Sequence, residues 1–138
     1  MDYSLLNILS DEMPTRQKIM ICALRLFSSK GYAETTIRDI ASAVGITPGS
    51  IYGHFNSKEE LLHYMLTDYE EYTHEMFSKV DIVPILEERP TGEGITMCFM
   101  ASVSSLTESV YYANLVHLIH QEQHRNALFG RFVLLRLQ

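Results

Sequence analysis

Apolar residues recur at intervals of three and four positions along much of this chain, which is the spacing of one buried helix face. Similar stripes occupy residues 37–44 and 57–78. In residues 15–30 the repeating residues are Ile19, Ala23, Leu26 and Phe27. The sequence shows neither the alternating pattern of a strand nor an Asn-Gly hairpin turn. It therefore predicts an all-α fold.

Capping residues mark the ends of the first three predicted helices. Gly31 and Gly45 follow the first and second helices, where a left-handed C-terminal residue is expected. Either Thr35 or Thr36 can cap the second helix, because a threonine hydroxyl accepts a hydrogen bond from a free helix N–H. The third helix is predicted to be short, over residues 48–54, and it begins with a threonine-proline pair.

The rest of the chain predicts further helices around a linker. Ser57 and Glu60 have the spacing of a capping box and open a long fourth helix that is expected to end at Ser78. Residues 81–94 contain two prolines and two glycines, so we expect a linker there. Three more helices are predicted, at residues 95–110, at residues 115–125 and from residue 127 to the end of the chain.

Charge is distributed unevenly along the 138 residues, whose formal net charge is -6. Residues 14–58 contain six Lys and Arg against two acidic residues, whereas residues 59–138 contain five against twelve. A basic segment in an acidic chain is typical of a module that meets phosphate groups while the remainder has another task. Residues 14–58 are therefore the candidate for nucleic-acid binding.

Composition disfavours several classes of protein. The N-terminus lacks an export signal and no apolar run approaches roughly 18 residues, so we expect a cytoplasmic protein without membrane association. Cys22 and Cys98 are too few for a disulfide framework and are expected to be buried free thiols. His117, His120 and His124 share a helix face but lack further ligands at suitable spacing, so no metal is expected. No catalytic constellation stands out, and neither an enzyme nor a cofactor is predicted.

Two short helices joined by a glycine-containing turn have the spacing of a helix-turn-helix, although any three-helix bundle can show it. The residues are more specific. The run G-Y-A-E-T-T-I-R-D-I-A at residues 31–41, continued by V-G-I at residues 44–46 and S-I-Y-G-H-F-N-S-K-E-E-L-L at residues 50–62, resembles the TetR/AcrR family of bacterial transcriptional regulators. The resemblance covers about residues 15–62.

The resemblance implies a function and a division of the chain. Members of this family are mostly dimeric repressors that bind palindromic operators in duplex DNA and respond to a small-molecule effector. Residues 1–56 would then form the helix-turn-helix domain, and residues 57–138 a helical effector-binding and dimerisation region that is short for the family. The implied partners are double-stranded DNA, an unknown small-molecule effector and a second copy of the chain.

The resemblance also assigns candidate DNA contacts. They lie on the second and third helices and in the turn that follows: Thr36, Arg38, Thr47, Pro48, Gly49, Ser50, Tyr52, His54 and Lys58. Each of the last three has a structural alternative, since Tyr52 can brace the helix pair, His54 can cap the third helix and Lys58 can be a solvated charge. Gly53 departs from the aromatic residue of many relatives, so one expected contact is absent.

Aromatic, methionine and histidine side chains of the acidic region are candidates for an effector pocket, although ordinary helical core explains the aromatic spacing as well. They are Tyr69, Phe99, Met100, Tyr112, His117 and His120. The alternative function for the whole chain is a short helical interaction protein that pairs with a full-length regulator and modulates it. The apolar helical pattern at residues 132–137 is the feature in its favour.

Overall fold

The computed structural model describes residues 5–79 and 109–136, together with Glu87 and Gly92. Every regular element in these segments is helical, which confirms the all-α prediction for them. After a 3-10 turn at Leu5–Ile8 come α1 (Thr15–Lys30), α2 (Ile37–Val44), α3 (Pro48–Tyr52), α4 (Lys58–Lys79), α5 (Val110–Glu122) and α6 (Ala127–Arg136).

The ends of α1 and α2 lie where the capping residues predict them. Gly31 has φ +101° and its N–H donates to the Phe27 carbonyl at 3.1 Å. Thr36, rather than Thr35, caps α2, and Gly45 ends it in the left-handed conformation at φ +83°. The Thr35 hydroxyl donates instead to the Gly31 carbonyl at 2.7 Å. Of the two threonines, one therefore starts the helix and the other stabilises the turn before it.

The predicted ends of α3 and α4 need small corrections. α3 ends at Tyr52, two residues before the predicted end, because the N–H of His54 donates to the Ile51 carbonyl, three residues earlier, at 2.8 Å. Ser57 accepts the Glu60 N–H at 3.0 Å, as a capping box requires. The Glu60 carboxylate, however, accepts the N–H of Asn56 at 2.9 Å, one residue before the expected donor. The box at the start of α4 is thus only half formed.

Apart from Glu87 and Gly92, which are both helical, the predicted linker at residues 81–94 lies outside the described residues. The same holds for nearly all of the predicted helix at residues 95–110, including Cys98, Phe99 and Met100. Val110, predicted to end that helix, instead begins α5. The Ser109 hydroxyl accepts the Tyr112 N–H at 3.5 Å and caps this start. The expectation for Val110 was therefore wrong.

One hydrophobic core joins the N-terminal helices to α5 and α6. α1 lies at its centre, because it packs against α2 on one side and α5 on the other. The Tyr32 ring meets Phe27 and Phe129 edge-on, with ring centres 5.0 and 5.7 Å apart. Cys22 is a buried free thiol, as predicted, and burial raises its pKa. The core is continuous across residues 56 and 57, and the division of the chain into two domains at this point stays a prediction.

Candidate nucleic-acid interface

Six of the predicted contact residues lie at the starts of α2 and α3, and all six are exposed. They are Thr36, Arg38, Thr47, Pro48, Gly49 and Ser50. The two helices pack against each other, and each turns a fully buried residue inward, Ile40 from α2 and Ile51 from α3. This packing presents polar groups at the starts of both helices to solvent.

The start of α2 already holds an anionic group. The Asp39 carboxylate accepts the backbone N–H of Thr36 at 2.8 Å, and the Thr36 hydroxyl accepts the N–H of Asp39 at 3.2 Å. Lys30 Nζ donates to the same carboxylate at 2.7 Å. These bonds lower the pKa of Asp39 to about 2, and the bond from Lys30 has the largest effect. Because the backbone N–H of Thr36 is occupied, its hydroxyl hydrogen is the group left to donate to a phosphate.

The start of α3 is held by its own side chains. The Thr47 hydroxyl accepts the Ser50 N–H at 3.2 Å and lies 2.9 Å from the Ser50 hydroxyl. A Cβ added at Gly49 would meet Thr47 Oγ1 at 3.8 Å, which is ordinary van der Waals contact. Packing within the described residues therefore does not require a glycine at position 49.

Arg38 and Tyr52 are predicted DNA contacts whose side chains are exposed to solvent. The Arg38 side chain is exposed and makes no hydrogen bond or ion pair within the described segments. The Tyr52 side chain is 52% exposed, which is a large fraction for an aromatic residue. Nothing in the described part of the fold shows it bracing α2 against α3. Both side chains are thus available to a partner.

Lys58 has contacts inside the fold. Its Nζ donates to the carbonyls of Tyr32 and Thr35, at 2.7 and 3.2 Å, and lies 4.2 Å from the centre of the Tyr32 ring. Lys58 is therefore not a solvated charge, since it ties the start of α4 to the turn that precedes α2. Its contact with DNA stays a prediction, for which one of three N–H donors is left.

His54 is half-buried, and its carbonyl accepts a hydrogen bond from Arg16 Nη1 at 3.3 Å. The Arg16 guanidinium also lies 4.4 Å from the centre of the Phe55 ring and 4.2 Å from that of Tyr64. Arg16 thereby joins α1 to the turn after α3 and to α4. Sequence reasoning missed this role because Arg16 and His54 are 38 positions apart.

The predicted effector residues are not all brought together. Tyr69 and Tyr112 belong to one aromatic cluster, with ring centres 6.2 Å apart, and Tyr112 stacks on Tyr72 at 3.8 Å. His117 and His120, by contrast, are exposed on α5. Among the residues that the structure describes, no three His, Cys, Asp or Glu side chains converge as a metal site. None of the helices in these segments has the length and apolarity to cross a membrane.

A cleft of about 360 Å³ opens between α1, α4 and α5. Of the predicted effector residues with described side chains, Tyr112 lines it. Arg16, Tyr64, Asp68 and Tyr111 line it as well, and sequence reasoning did not select the first three of them. Their spacing along the chain gave no sign that these four side chains meet.

Comparisons with known proteins match this chain to bacterial transcriptional regulators. The family model for bacterial regulatory proteins of the tetR family matches residues 19–65. The transcriptional repressor KstR2 of Mycolicibacterium smegmatis is 33% identical over 91 residues, which are 66% of this chain and 42% of that protein. The regulator TtgR of Pseudomonas putida is 43% identical over 65 residues, 47% of this chain and 30% of that one. The chain thus spans about half the length, or less, of these relatives.

The structure of Salmonella enterica GusR matches at a TM-score of 0.63 with 23% identity, covering 91% of this chain and 61% of that one. At this identity the match shows the fold. The family segment at residues 19–65 contains all nine predicted DNA contacts, from Thr36 to Lys58.

Proposed function

Because the chain belongs to the TetR family of bacterial regulatory proteins through its N-terminal helices, we propose that it is a transcriptional regulator that binds duplex DNA. The observation that carries the proposal is the exposed polar surface at the starts of α2 and α3. Hydroxyl groups and a guanidinium there face solvent, and the exposed ring of Tyr52 lies close by in the chain. These are the groups that contact phosphates and base edges in the major groove.

In the proposed complex α3 lies in the major groove. Thr47, Pro48, Gly49 and Ser50 then meet base edges or the adjoining backbone, since they form its exposed start. The planar guanidinium of Arg38 can donate two hydrogen bonds to one partner, which suits a guanine or a phosphate.

Four further residues are proposed to hold phosphates at the edges of the groove. Thr36 and Tyr52 donate from their hydroxyl groups, His54 from its ring, and Lys58 through its remaining N–H. Together with the residues at the start of α3, they would fix the position of the reading helix.

We further propose that two copies bind a palindromic operator as a dimer and repress transcription. Their reading helices would then lie in successive major grooves, about 34 Å apart. Residues 1–56 serve as the DNA-binding domain, and residues 57–138 contribute to dimerisation and to the response to an effector. α4 starts directly after the turn that follows α3, so a shift of α4 would change the position of α3. An effector that prefers the shifted state would weaken DNA binding.

The test is selection of binding sites from random duplex DNA with the 138-residue chain, followed by affinity measurements at fixed salt. Tyr52→Ala and Arg38→Ala are expected to weaken binding about tenfold or more, as the loss of a charged or base-edge contact does. Both should leave the melting temperature nearly unchanged, because both side chains are exposed. Asn7→Ala, at an exposed position of the 3-10 turn before α1, is the control and should bind like wild type. Failure to select any sequence, or wild-type affinity of both variants, would contradict the proposal.

A further inference from the structure

α3 is too short to hold its orientation by itself. It spans five residues, Pro48–Tyr52, and isolated helices of fewer than about 12 residues are marginal in water. Its placement therefore depends on contacts with the rest of the fold. Ile51 and Phe55 are buried and fix its depth in the core, but apolar packing is non-directional. A directional contact at the end of α3 would supply what this packing lacks.

Arg16 makes such a contact from α1. Its Nη1 donates to the His54 carbonyl, just after α3, at 3.3 Å. Within the described residues, this is the one side-chain hydrogen bond that reaches residues 48–55 from another helix. Because α1 packs against both α2 and α5, the bond ties the end of α3 to a helix that is itself held from two sides.

Two aromatic rings orient the guanidinium that makes this bond. Its central carbon lies 4.4 Å from the centre of the Phe55 ring and 4.2 Å from that of Tyr64, and the two rings meet edge-on with centres 5.7 Å apart. A planar guanidinium can lie over a ring while its N–H groups donate in the plane. A lysine ammonium is a point charge without that geometry. The contacts therefore require the shape of arginine and not only its charge.

The location of Arg16 favours an indirect role in DNA binding. The side chain is half-buried and lines the cleft between α1, α4 and α5. The residues proposed to read base edges lie at the start of α3, whereas Arg16 bonds the chain just after its end. Arg16 can therefore affect those contacts through the position of α3, without a DNA contact of its own.

We propose that Arg16 is a positioning residue for sequence-specific DNA recognition, whose guanidinium holds α3 in the orientation in which its start meets base edges. This inference rests on the proposed function, since it takes α3 as the reading helix. Base-edge contacts require an accurately placed helix, whereas attraction to phosphates depends mainly on charge. Loss of the guanidinium shape at position 16 is therefore expected to lower specific affinity and to leave non-specific affinity nearly unchanged.

The test compares Arg16→Lys with wild type on two duplexes of equal length, the selected sequence and a scrambled version of it. Affinity for the selected duplex is expected to fall at least about fivefold, the effect of one mismatched base pair. Affinity for the scrambled duplex should stay within about twofold, and the salt slope should not change, because lysine keeps the charge. Arg25→Lys is the matched control, the same exchange on the same helix at a side chain without a hydrogen bond to α3, and should bind both duplexes like wild type. A parallel loss on both duplexes, or no loss on either, would overturn the proposal.

A second pair of variants examines the ring that orients the guanidinium. Tyr64→Leu removes this ring, whereas Tyr64→Phe retains it, and the exposed position makes both exchanges tolerable to the fold. Tyr64→Leu should bind the selected duplex about twofold to fivefold more weakly, the effect of one exposed cation–π contact. Tyr64→Phe should bind it like wild type. Equal affinities of the two variants would show that the ring does not orient Arg16.

Amide hydrogen exchange without DNA separates this proposal from the proposed function. The N–H groups of His54 and Phe55 donate to the Ile51 carbonyl, at 2.8 and 2.9 Å, and report local opening at the end of α3. In Arg16→Lys both should exchange at least about threefold faster, while the N–H groups of α5 keep their wild-type rates. Unchanged rates at the end of α3, or equal acceleration in α5, would overturn the positioning role. If the chain bound no DNA at all, the proposed function would fail, while the exchange rates would still decide whether Arg16 holds α3.

Discussion

The ammonium of Lys58 is a part of the fold whose removal has a predictable cost. It donates to two carbonyls of the turn before α2, those of Tyr32 and Thr35, and lies over the Tyr32 ring. Lys58→Met keeps the aliphatic stem and removes the charge and all three N–H donors. The substitution therefore isolates the contribution of these contacts to the free energy of unfolding.

The lengths of these contacts determine how much the substitution should lower the free energy of unfolding. A hydrogen bond from a charged donor contributes about 1.5–3 kcal/mol, and the 2.7 Å bond to the Tyr32 carbonyl should lie in that range. The 3.2 Å bond to Thr35 and the contact with the ring are weaker, and water can reach this half-buried position and replace part of the loss. We expect Lys58→Met to lower the free energy of unfolding by about 2–3 kcal/mol. For a chain of this size that corresponds to a melting temperature lower by roughly 6–12 °C.

Thermal and urea unfolding followed by circular dichroism measure this difference. Lys18→Met is the matched control, because Lys18 Nζ makes a single solvent-exposed bond to the Asp11 carbonyl at 3.0 Å. Its removal should cost no more than about 0.5 kcal/mol. A Lys58→Met chain as stable as the Lys18→Met chain would refute the reasoning, since the two carbonyl contacts would then contribute nothing measurable.

Two further predictions concern α2, and a third concerns Gly49 in α3. The hydrogen bond from Lys30 is the largest of the effects that lower the pKa of Asp39 from its usual 3.8 to about 2. The ionised carboxylate therefore stabilises the fold at higher pH, and this contribution is lost as the pH falls from 3.8 to about 2. The stability gap between wild type and Asp39→Asn in thermal melts should therefore shrink from pH 5 to pH 2, and a constant gap would contradict this. Gly45→Ala should cost about 1–2 kcal/mol in urea unfolding, because φ is +83° although nothing lies within 4 Å of an added Cβ. Gly49→Ala, without a positive φ, should be neutral or stabilising.

Helix ends that depend on local chemistry were predictable from the sequence. A threonine hydroxyl accepts an N–H three residues later, and a glycine adopts the positive φ at a helix end, so both signals are read within one turn. Thr36, Gly31 and Gly45 lie where such signals place them. The same holds for Thr47 at the start of α3.

The start of α5 was missed because two signals conflicted. The apolar repeat continues through Val110, which favours an uninterrupted helix across this point. Ser109, directly before that residue, is the cap that begins α5 instead. At the start of α4, the position of the Glu60 carboxylate depends on which of two neighbouring N–H groups it reaches, and the residue pattern does not distinguish them.

The contacts of Lys58 and Arg16 could not be predicted from spacing. Lys58 meets the Tyr32 carbonyl across 26 positions, and Arg16 meets the His54 carbonyl across 38. Such contacts follow from how α1 and α4 pack, which the helical periodicity of each segment alone does not determine. The cleft between α1, α4 and α5 escaped prediction for the same reason.

These contacts also change the salt response expected from the basic segment. Four of its six cations bond to groups of the fold, namely Arg16, Lys18, Lys30 and Lys58, and Nε of a fifth, Arg25, is buried. Arg38 and the remaining donor of Lys58 are left to neutralise phosphates, which gives about four phosphates for the proposed dimer. At about 0.9 per phosphate, the slope of log affinity against log salt should be near -4 rather than the roughly -11 implied by six cations per protomer. Affinities for the selected DNA over a salt series measure the slope, and a value steeper than about -8 would show that the internal contacts open on binding.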